Sequence, residues 1–390
     1  MIAPRSICGT LLNRASHALE TPHGRFTAHE FTDLAARQPF LALTRGDCGG
    51  DTPVLTRVHS SCVTGESIGS ADCDCAEQLD AGLARIAAAG RGVLFYLLQE
   101  GRGAGLVAKA RDRMLVQASH DSVTTFDAYA GMGLERDCRR YDPVAFACAA
   151  LGIAAPLQLL SNNPDKLASL RQAGITVASC TPLAHAPSAF NLSYIAAKSR
   201  SGHALDVAGA PDAAAEPPEP VQAIEPAPLA TWPALLRVAE YLVPVPALAP
   251  ACGVHWLRLH LYVDRDSGRE RIVFTLARPR AAATALVHVH AETLRGRFPR
   301  ALDTDPWRQA VERIAARGIG AALFLLHDEP GLASAAASMA NPTDAAADFV
   351  AARPDLVRVL AHHLCGPAEL LTPHAGLRDA LHDAGAECGG

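Results

Sequence analysis

No apolar run in this sequence approaches the ~20 residues that span a bilayer. The opening stretch, Met1 to His17, is mixed in polarity and broken by Pro4 and Gly9, without a signal-peptide core. A soluble, cytoplasmic protein with no membrane partner is expected. A Lys/Arg stripe is lacking too, and the formal net charge is −5, which argues against a nucleic-acid polymer as partner. A nucleotide stays open, because a few local cations suffice to hold phosphates. A disulfide framework is also missing. The eleven cysteines are odd in number and scattered along 390 residues, a pattern of reduced thiols used for metal binding or buried. What is present is 49% hydrophobic and 19% charged, enough for two domains with a core each.

The clearest break is Gly209 to Pro233, dense in Pro, Ala and Glu and without a hydrophobic period, which reads as a semi-extended linker. It divides the chain into residues 1–206, a linker over 207–233, and residues 234–390. Before it, helical and strand patterns alternate. Ala76 to Ala89 has apolar positions at Leu79, Leu83 and Ile86 and a stop at Gly90, and Gly92 to Leu98 is a short buried strand. A helix should start near Asp142-Pro143, with Asp as cap, and end at Leu151-Gly152. Then follow a strand over Leu157 to Leu160, an Asn162-Asn163-Pro164 turn, and a helix from Asp165 to a stop at Gly174. Such alternation predicts a layered α/β domain.

The order repeats after the linker. Arg85-Ile-Ala-Ala-Ala-Gly-Arg-Gly before an apolar run matches Arg313-Ile-Ala-Ala-Arg-Gly-Ile-Gly before another. Arg57-Val-His59 is echoed by Val289-His290. Leu159-Leu160 and Ala173-Gly174 are echoed by Leu370-Leu371 and Ala384-Gly385 at the same internal spacing. Three echoes in one order predict two tandem copies of one fold.

Cys62, Cys73 and Cys75 form C-x10-C-x-C in the first copy. Thiolates suit Zn²⁺, and three of them leave one tetrahedral position open for water. No fourth cysteine lies nearby; His59, three residues before Cys62, is an alternative fourth ligand that would close the site. Glu100-Gly-Arg-Gly-Ala-Gly follows a strand and opens a helix over Leu106 to Ala118, so its backbone N–H groups can approach phosphate. The Gly-Lys-Ser/Thr ending of a P-loop is absent.

The run Arg57-Val-His-Ser-Ser-Cys62, then Cys73-Asp-Cys-Ala-Glu-Gln78, then Gln99-Glu-Gly-Arg102 resembles GTP cyclohydrolase II closely. So do Thr21-Pro-His-Gly-Arg-Phe, Asp137-Cys-Arg139-Arg-Tyr141, Asn162-Asn-Pro-Asp-Lys166 and Gly174-Ile, over about residues 20–205. The resemblance implies a layered mixed-sheet α/β catalytic domain, duplicated in tandem, with one catalytic zinc on Cys62, Cys73 and Cys75 and Mg²⁺ on the substrate phosphates. It implies substrate contacts from Arg57, Val58, His59, Ser60, Ser61, Gln78, Glu100, Gly101, Arg102, Ser122, Ser161 and Lys166. Arg139 is implied to attack the α-phosphate and Asp137 to transfer a proton. The implied reaction releases pyrophosphate, opens the imidazole ring of GTP at C8 with water activated by zinc, and frees formate, as in riboflavin biosynthesis.

Counting without gaps from Glu100, the family's catalytic tyrosine falls on Arg113, and a few residues are added between Ser122 and Asp137. Tyr129 and Tyr141 are candidate substitutes for the phenol. Two alternatives therefore stand beside GTP ring opening with formate release. One is a related hydrolase that stops at a formamidopyrimidine or acts on another base; the other is a nucleotide-binding regulator that keeps its zinc. The second copy has no cysteine between Ala291 and Pro306, reads His327-Asp-Glu-Pro330 where the first has Gln99-Glu-Gly-Arg102, and has Leu377 in place of Lys166. It reads as a non-catalytic partner domain. Family members are homodimers, so an intrachain pseudo-dimer or a homo-oligomer is expected.

Overall fold

The computed structural model describes residues 7–183, 185–205, 210–211, 213–279, 284–298, 305–326, 342–364 and 366–387. The stretch His327 to Pro330 lies outside them. Two mixed sheets organise the chain. The first contains β1 (Ile7–Cys8), β2 (Leu11–Thr21), β3 (Gly24–Asp33), β4 (Gln38–Arg45), β5 (Val54–Ser60), β6 (Gly92–Leu97), β7 (Leu157–Leu160) and β8 (Val177–Thr181), in the spatial order β1-β2-β3-β4-β6-β5-β7-β8. The second contains β9 (Ala227–Leu229), β10 (Trp232–Pro244), β11 (Trp256–Asp264), β12 (Glu270–Leu276), β13 (Ala285–Ala291), β14 (Gly320–Leu325) and β15 (Ala368–Leu370), in the order β9-β10-β11-β12-β14-β13-β15.

The order β1-β2-β3-β4-β6-β5-β7 of the first sheet corresponds to the order of the seven strands of the second, and β8 has no counterpart among the described residues. In each sheet an antiparallel meander is followed by a pair that runs parallel, β5 beside β6 and β13 beside β14, with a further parallel strand, β7 or β15, beyond it. The correspondence reaches single atoms. Helix α1 (Cys75–Ala89) ends on Gly90 at φ 70°, and its counterpart over Pro306–Arg317 ends on Gly318 at φ 89°. Two residues later the strands begin on Gly92 and Gly320. A Cβ on Gly92 would sit 2.5 Å from the Leu55 carbonyl oxygen and 3.0 Å from Ile86 Cγ2; on Gly320 it would sit 2.3 Å from the Leu286 oxygen and 2.9 Å from Ile314 Cγ2. Only glycine lets helix, turn and strand close so tightly, which is why the Arg-Ile…Gly string recurs. His59 stacks on Tyr96 and His290 on Phe324, at matching register positions. Leu377 occupies the third position after a side-chain N-cap, as Lys166 does after Asn163, but it is buried in apolar core.

Helices cover both faces of each sheet. Leu79, Leu83 and Ile86 of α1 bury one face of the first sheet, worth about 1.5–3 kcal/mol each. Helix α4 (Asp142–Ala150) and helix α5 (Pro164–Gln172) cover the other. Asp142 does not cap α4 as expected: Tyr141 is the N-cap, and the Asp142 carboxylate is taken by Arg140. Helix α2 (Gly105–Ala118) packs instead on the second half. Its Ala110 and Met114 share one core with Val63 and Ile68 of the first half and Val238, Tyr241 and Leu242 of β10. The expected linker is partly structured. Ala227–Leu229 pairs with β10, and Val221 is buried in that joint core. Pro228 misled the reading, yet proline is tolerated on an edge strand such as β9. No helix among the described residues is long and apolar enough to cross a membrane.

Candidate metal centre and nucleotide site

Strand β5 delivers its last residues to the carboxyl edge of the parallel pair, and there the chain turns into Cys62. A five-residue turn over Thr64–Ile68 carries it to Cys73, and Cys75 opens α1. The three thiols converge with all sulfurs within 4.8 Å of one another, and Cys62 and Cys73 Sγ are 3.5 Å apart. Among the described residues no other group of three or more His, Cys, Asp or Glu ligand atoms gathers in this way. Gly65 lies against the sulfurs, where a Cβ would come 3.1 Å from Cys73 Sγ and 3.2 Å from Cys62 Sγ. Buried, convergent thiols in a cradle that excludes a side chain fit a soft divalent ion such as Zn²⁺.

Charged groups brace this cradle. Lys109 of α2 places Nζ 3.0 Å from Cys62 Sγ and 2.8 Å from Glu100 Oε1, while the other Glu100 oxygen accepts the Val63 N–H at 2.7 Å. Cys62 is held well below the usual thiol range, first by hydrogen bonds from the Cys73 and Cys75 thiols and then, against burial, by the Lys109 ammonium. Burial alone would lower Lys109, but the Cys62 thiolate and Glu100 outweigh it and hold the lysine charged. Glu66, fully buried, accepts the Cys62 N–H at 3.1 Å, lies 2.7 Å from His59 Nε2, and accepts from the Tyr96 hydroxyl. His59 is thus occupied by Glu66 and stands outside the thiol cluster, so it does not close the site as a fourth ligand.

Beside the thiols lies a cationic cleft. Arg57 Nη2 donates to Gln78 Oε1 at 2.5 Å and Nη1 to the Leu160 carbonyl at 2.9 Å; Gln78 in turn donates to Asp74. The half-buried Gln78 amide is therefore oriented from both ends. Lys166 Nζ donates to the Val58 carbonyl at 2.7 Å, and Arg139 is gripped by both oxygens of Asp137. Burial pushes Lys166 well down, and the Arg57 and Arg139 cations push it further. Burial, then Lys198, Arg102, Arg139 and Lys166, takes His203 down to about 4. So many cations, facing among the described residues chiefly Asp74, Asp112 and Asp137, make a site that an anion would relieve. Arg57 Nε, His59 Nδ1 and Ser61 Oγ are buried without hydrogen-bond partners among the described residues. Leaving such groups unpaired costs about 1–3 kcal/mol each.

Gly101 and Arg102 both adopt φ 55° in a tight turn ahead of α2, and the Arg102 guanidinium lies 4.2 Å from the Phe126 ring centroid. Val58 and Ser60 belong to β5, and Ser161 is buried just beyond β7, where its hydroxyl accepts the Asn163 N–H. Ser122 lies exposed in the turn after α2, its N–H donating to the Ser119 carbonyl. Arg113 does not face solvent. Its guanidinium is 3.2 Å from Asp72 Oδ2 and 4.4 Å from the Tyr194 ring centroid. Of the two expected stand-in tyrosines, Tyr141 is buried among Arg139, Asp137 and Arg57, and Tyr129 beside Arg102 and Asp112.

Sequence reasoning missed Asp72, Asp74, Glu66 and Lys109, and it missed helix α6 (Leu192–Arg200) altogether. Lys198 of α6 pairs with Asp74 at 2.9 Å, and the Tyr194 ring is bracketed by Lys198 and Arg113. Nothing in the amphipathic pattern of α6 marks it as a covering helix; only its contacts do.

The family model for GTP cyclohydrolase II matches residues 13–182. The GTP cyclohydrolase-2 of Shewanella amazonensis is 39% identical over 192 residues, 49% of this chain and 92% of that protein. Those of Azotobacter vinelandii and Neisseria meningitidis are 43% and 41% identical over the same length, 90% and 95% of each protein. Among solved structures, a two-domain 3,4-dihydroxy-2-butanone 4-phosphate synthase from A. baumannii aligns at a TM-score of 0.25 and 16% identity, over 45% of this chain and 40% of that one, too slight a likeness to bear on the fold.

Proposed function

The chain belongs to the GTP cyclohydrolase II family of hydrolases, and we propose from that premise that its first half opens the imidazole ring of GTP, releasing pyrophosphate and formate. The observation that carries the proposal is the meeting of two devices in one cleft. Three convergent thiols lie beside a half-buried, oriented amide and a cluster of cations, Arg57, Lys166, Arg139 and Lys198, with few carboxylates among them. A metal site alone would suit many hydrolases, and a cationic cleft alone many nucleotide binders; ring opening of a nucleotide needs both.

Cys62, Cys73 and Cys75 would hold the zinc, which when bound supplies water of lowered pKa at neutral pH. Gln78, fixed by Arg57 and Asp74, offers both donor and acceptor to the edge of a guanine. Lys166, Arg102 and Lys198 supply charge for the triphosphate, together with Mg²⁺ carried by the substrate. Arg139 is the candidate to take the nucleotidyl group, or to orient water in its place. Asp137, which grips its Nε and Nη2, is the candidate to accept the displaced proton. The three-part division at residues 206 and 233 is proposed with it, the second half acting as a duplicated, non-catalytic partner. Incubating zinc-loaded protein with GTP and Mg²⁺ and weighing the products tests the reading: a deformylated pyrimidine nucleotide supports it.

One observation favours a second reading. Arg113, where the family tyrosine is expected, has five donors, no acceptor and a charge it cannot shed. Ring opening would then proceed while formate release lags, leaving a formamidopyrimidine nucleotide.

A further inference from the structure

The ten residues between Cys62 and Cys73 have little structure of their own. One five-residue turn is their whole regular content. Ordering such a spacer costs on the order of 1–2 kcal/mol per residue, so something must hold it if the thiols are to be placed before metal arrives. The first half supplies Glu66 and Glu100 at its beginning. Arg113 holds Asp72 near its end, and Ser67, Ile68 and Ala71 between them are held from the second half.

Three polar contacts cross between the halves within this short span. Ser67 Oγ donates to Glu292 Oε1 at 2.6 Å, and the Glu292 carboxylate also accepts from Arg297 at 2.8 Å. Trp307 Nε1 donates to the Ile68 carbonyl at 3.3 Å. The Ala71 N–H donates to the Pro244 carbonyl at 2.9 Å. Apolar contacts follow the same line. Val63 and Ile68 are buried in the core that β10 and Trp307 complete, and the Phe298 ring lies 5.1 Å from the ring of Tyr96, which itself holds Glu66. Glu292, Arg297 and Trp307 are all nearly fully buried, so these are not surface pairs screened by water.

Position in the duplicated fold sharpens the point. Glu292 follows β13 as Ser61 follows β5: the Glu292 N–H donates to Leu325 O at 2.9 Å, and the Ser61 N–H donates to Leu97 O at 2.8 Å. Where the first half turns into a metal loop, the second half turns into a grip on that loop.

We propose that the second half is a built-in clamp for the metal loop, with Glu292 and Trp307 as positioning residues that preset the separation of Cys62 from Cys73. The proposal rests on the reading of the three thiols as a zinc site. It gives the second half a task that needs no substrate, no cysteine and no chemistry of its own. Partners outside a metal's direct ligands commonly alter metal affinity by about 10–100-fold.

The test is the rate of zinc transfer from the full-length holoprotein to a chromophoric chelator, with thermal melting followed in parallel. Trp307→Phe keeps an aromatic ring, smaller than the indole, and removes the donor; Ser67→Ala removes the donor on the other side and leaves the second half untouched. Leu381→Ala, in core remote from the loop, controls for general loosening. The clamp predicts that Trp307→Phe and Ser67→Ala each release zinc roughly tenfold faster and that Leu381→Ala lowers the melting temperature while releasing zinc at the wild-type rate. Wild-type release from both loop variants, or release that simply tracks melting temperature across all three, overturns the clamp and leaves the zinc site standing. Wild-type protein that retains no zinc overturns both.

Discussion

Arg113 carries a charge it cannot lose near neutral pH, and the fold meets that charge with Asp72 and the face of Tyr194 rather than with water. Both partners of the ion pair are about nine-tenths buried, so removing one alone leaves an unpaired charge worth about 3–5 kcal/mol. Arg113→Tyr by itself is therefore expected to destabilise the protein. Asp72→Asn combined with Arg113→Tyr should recover most of that loss and restore a phenol at the site. The account expects wild-type protein to yield less than one formate per pyrophosphate and the double variant to approach equality; assaying both products in one reaction checks it. Equal yields from the wild type would leave Arg113 without an effect on the second hydrolysis. At the thiols, Cys73→Ser and Cys75→Ser should each lose zinc together with ring opening, as measured by metal analysis and turnover of the purified variants. The cysteines were legible in the sequence because residue type and spacing alone identify soft ligands. Lys109, Glu66 and Asp72 were not, since each reads as an ordinary charge on a helix or loop, and only the fold brings position 109 beside position 62.

Helix α6 shows the same limit at the scale of an element. No helix is expected from the sequence over Leu192–Arg200, whereas the fold forms one there that puts Lys198 on Asp74 and Tyr194 beside Arg113. If Lys198 serves the triphosphate, Lys198→Met should raise KM for GTP by about tenfold, equivalent to ~1.4 kcal/mol, with zinc content unchanged. A KM within twofold of the wild type would confine Lys198 to holding Asp74. Of the strands, β6 and β7 were legible as short apolar runs, whereas the long antiparallel strands β2 to β4 and β10 to β12 drew no reading. β9 was not legible either, because proline density hid an edge strand. A second element-scale expectation concerns acid. On β11 and the helix over Pro354–Ala361 and its exit, His260, His362 and His363 pack together, with the His260 and His363 ring centroids 4.1 Å apart. Glu240 and Thr275 bind His260, Tyr262 binds His363, and Arg237 and Arg258 add positive charge nearby. Burial and the neighbouring His260 take His363 down to about 2, and burial takes His288 on β13 down to about 4. These groups are neutral in the fold and take up protons more readily when unfolded. Their contribution is complete above the unfolded value near 6.5 and is lost as pH falls toward the folded values. Each buried histidine titrating in that window costs about 1.4 kcal/mol per pH unit. Urea unfolding at pH 7.5 and pH 5.5 should show a marked loss at the lower pH, reduced in His363→Gln; pH-independent stability across that interval would contradict the assignment.

For the whole molecule, the likeness of the two halves was legible from three short echoes, one of which, at Gly92 and Gly320, marks a place where only glycine fits. The Gly92 and Gly320 contacts and the strand order show that the second half forms a mixed sheet similar to the first. That the halves pack within one chain was expected, but the contacts that join them were not legible, because α2, the spacer before Cys73 and β10 carry ordinary apolar patterns whose partners lie more than a hundred residues away. Of the two similar sheets, one carries the thiols and cations and the other packs against the loop that bears the thiols. That division predicts one tightly bound zinc per chain, and two would reveal ligands in the second half. The central claim is that this single site opens a guanine nucleotide. It is tested most directly by following GTP ring opening, by product mass, as zinc is titrated into metal-free full-length protein with Mg²⁺ present. Turnover that rises in proportion to zinc and levels off at one per chain is the predicted result. GTP recovered intact from protein holding one zinc per chain would contradict it.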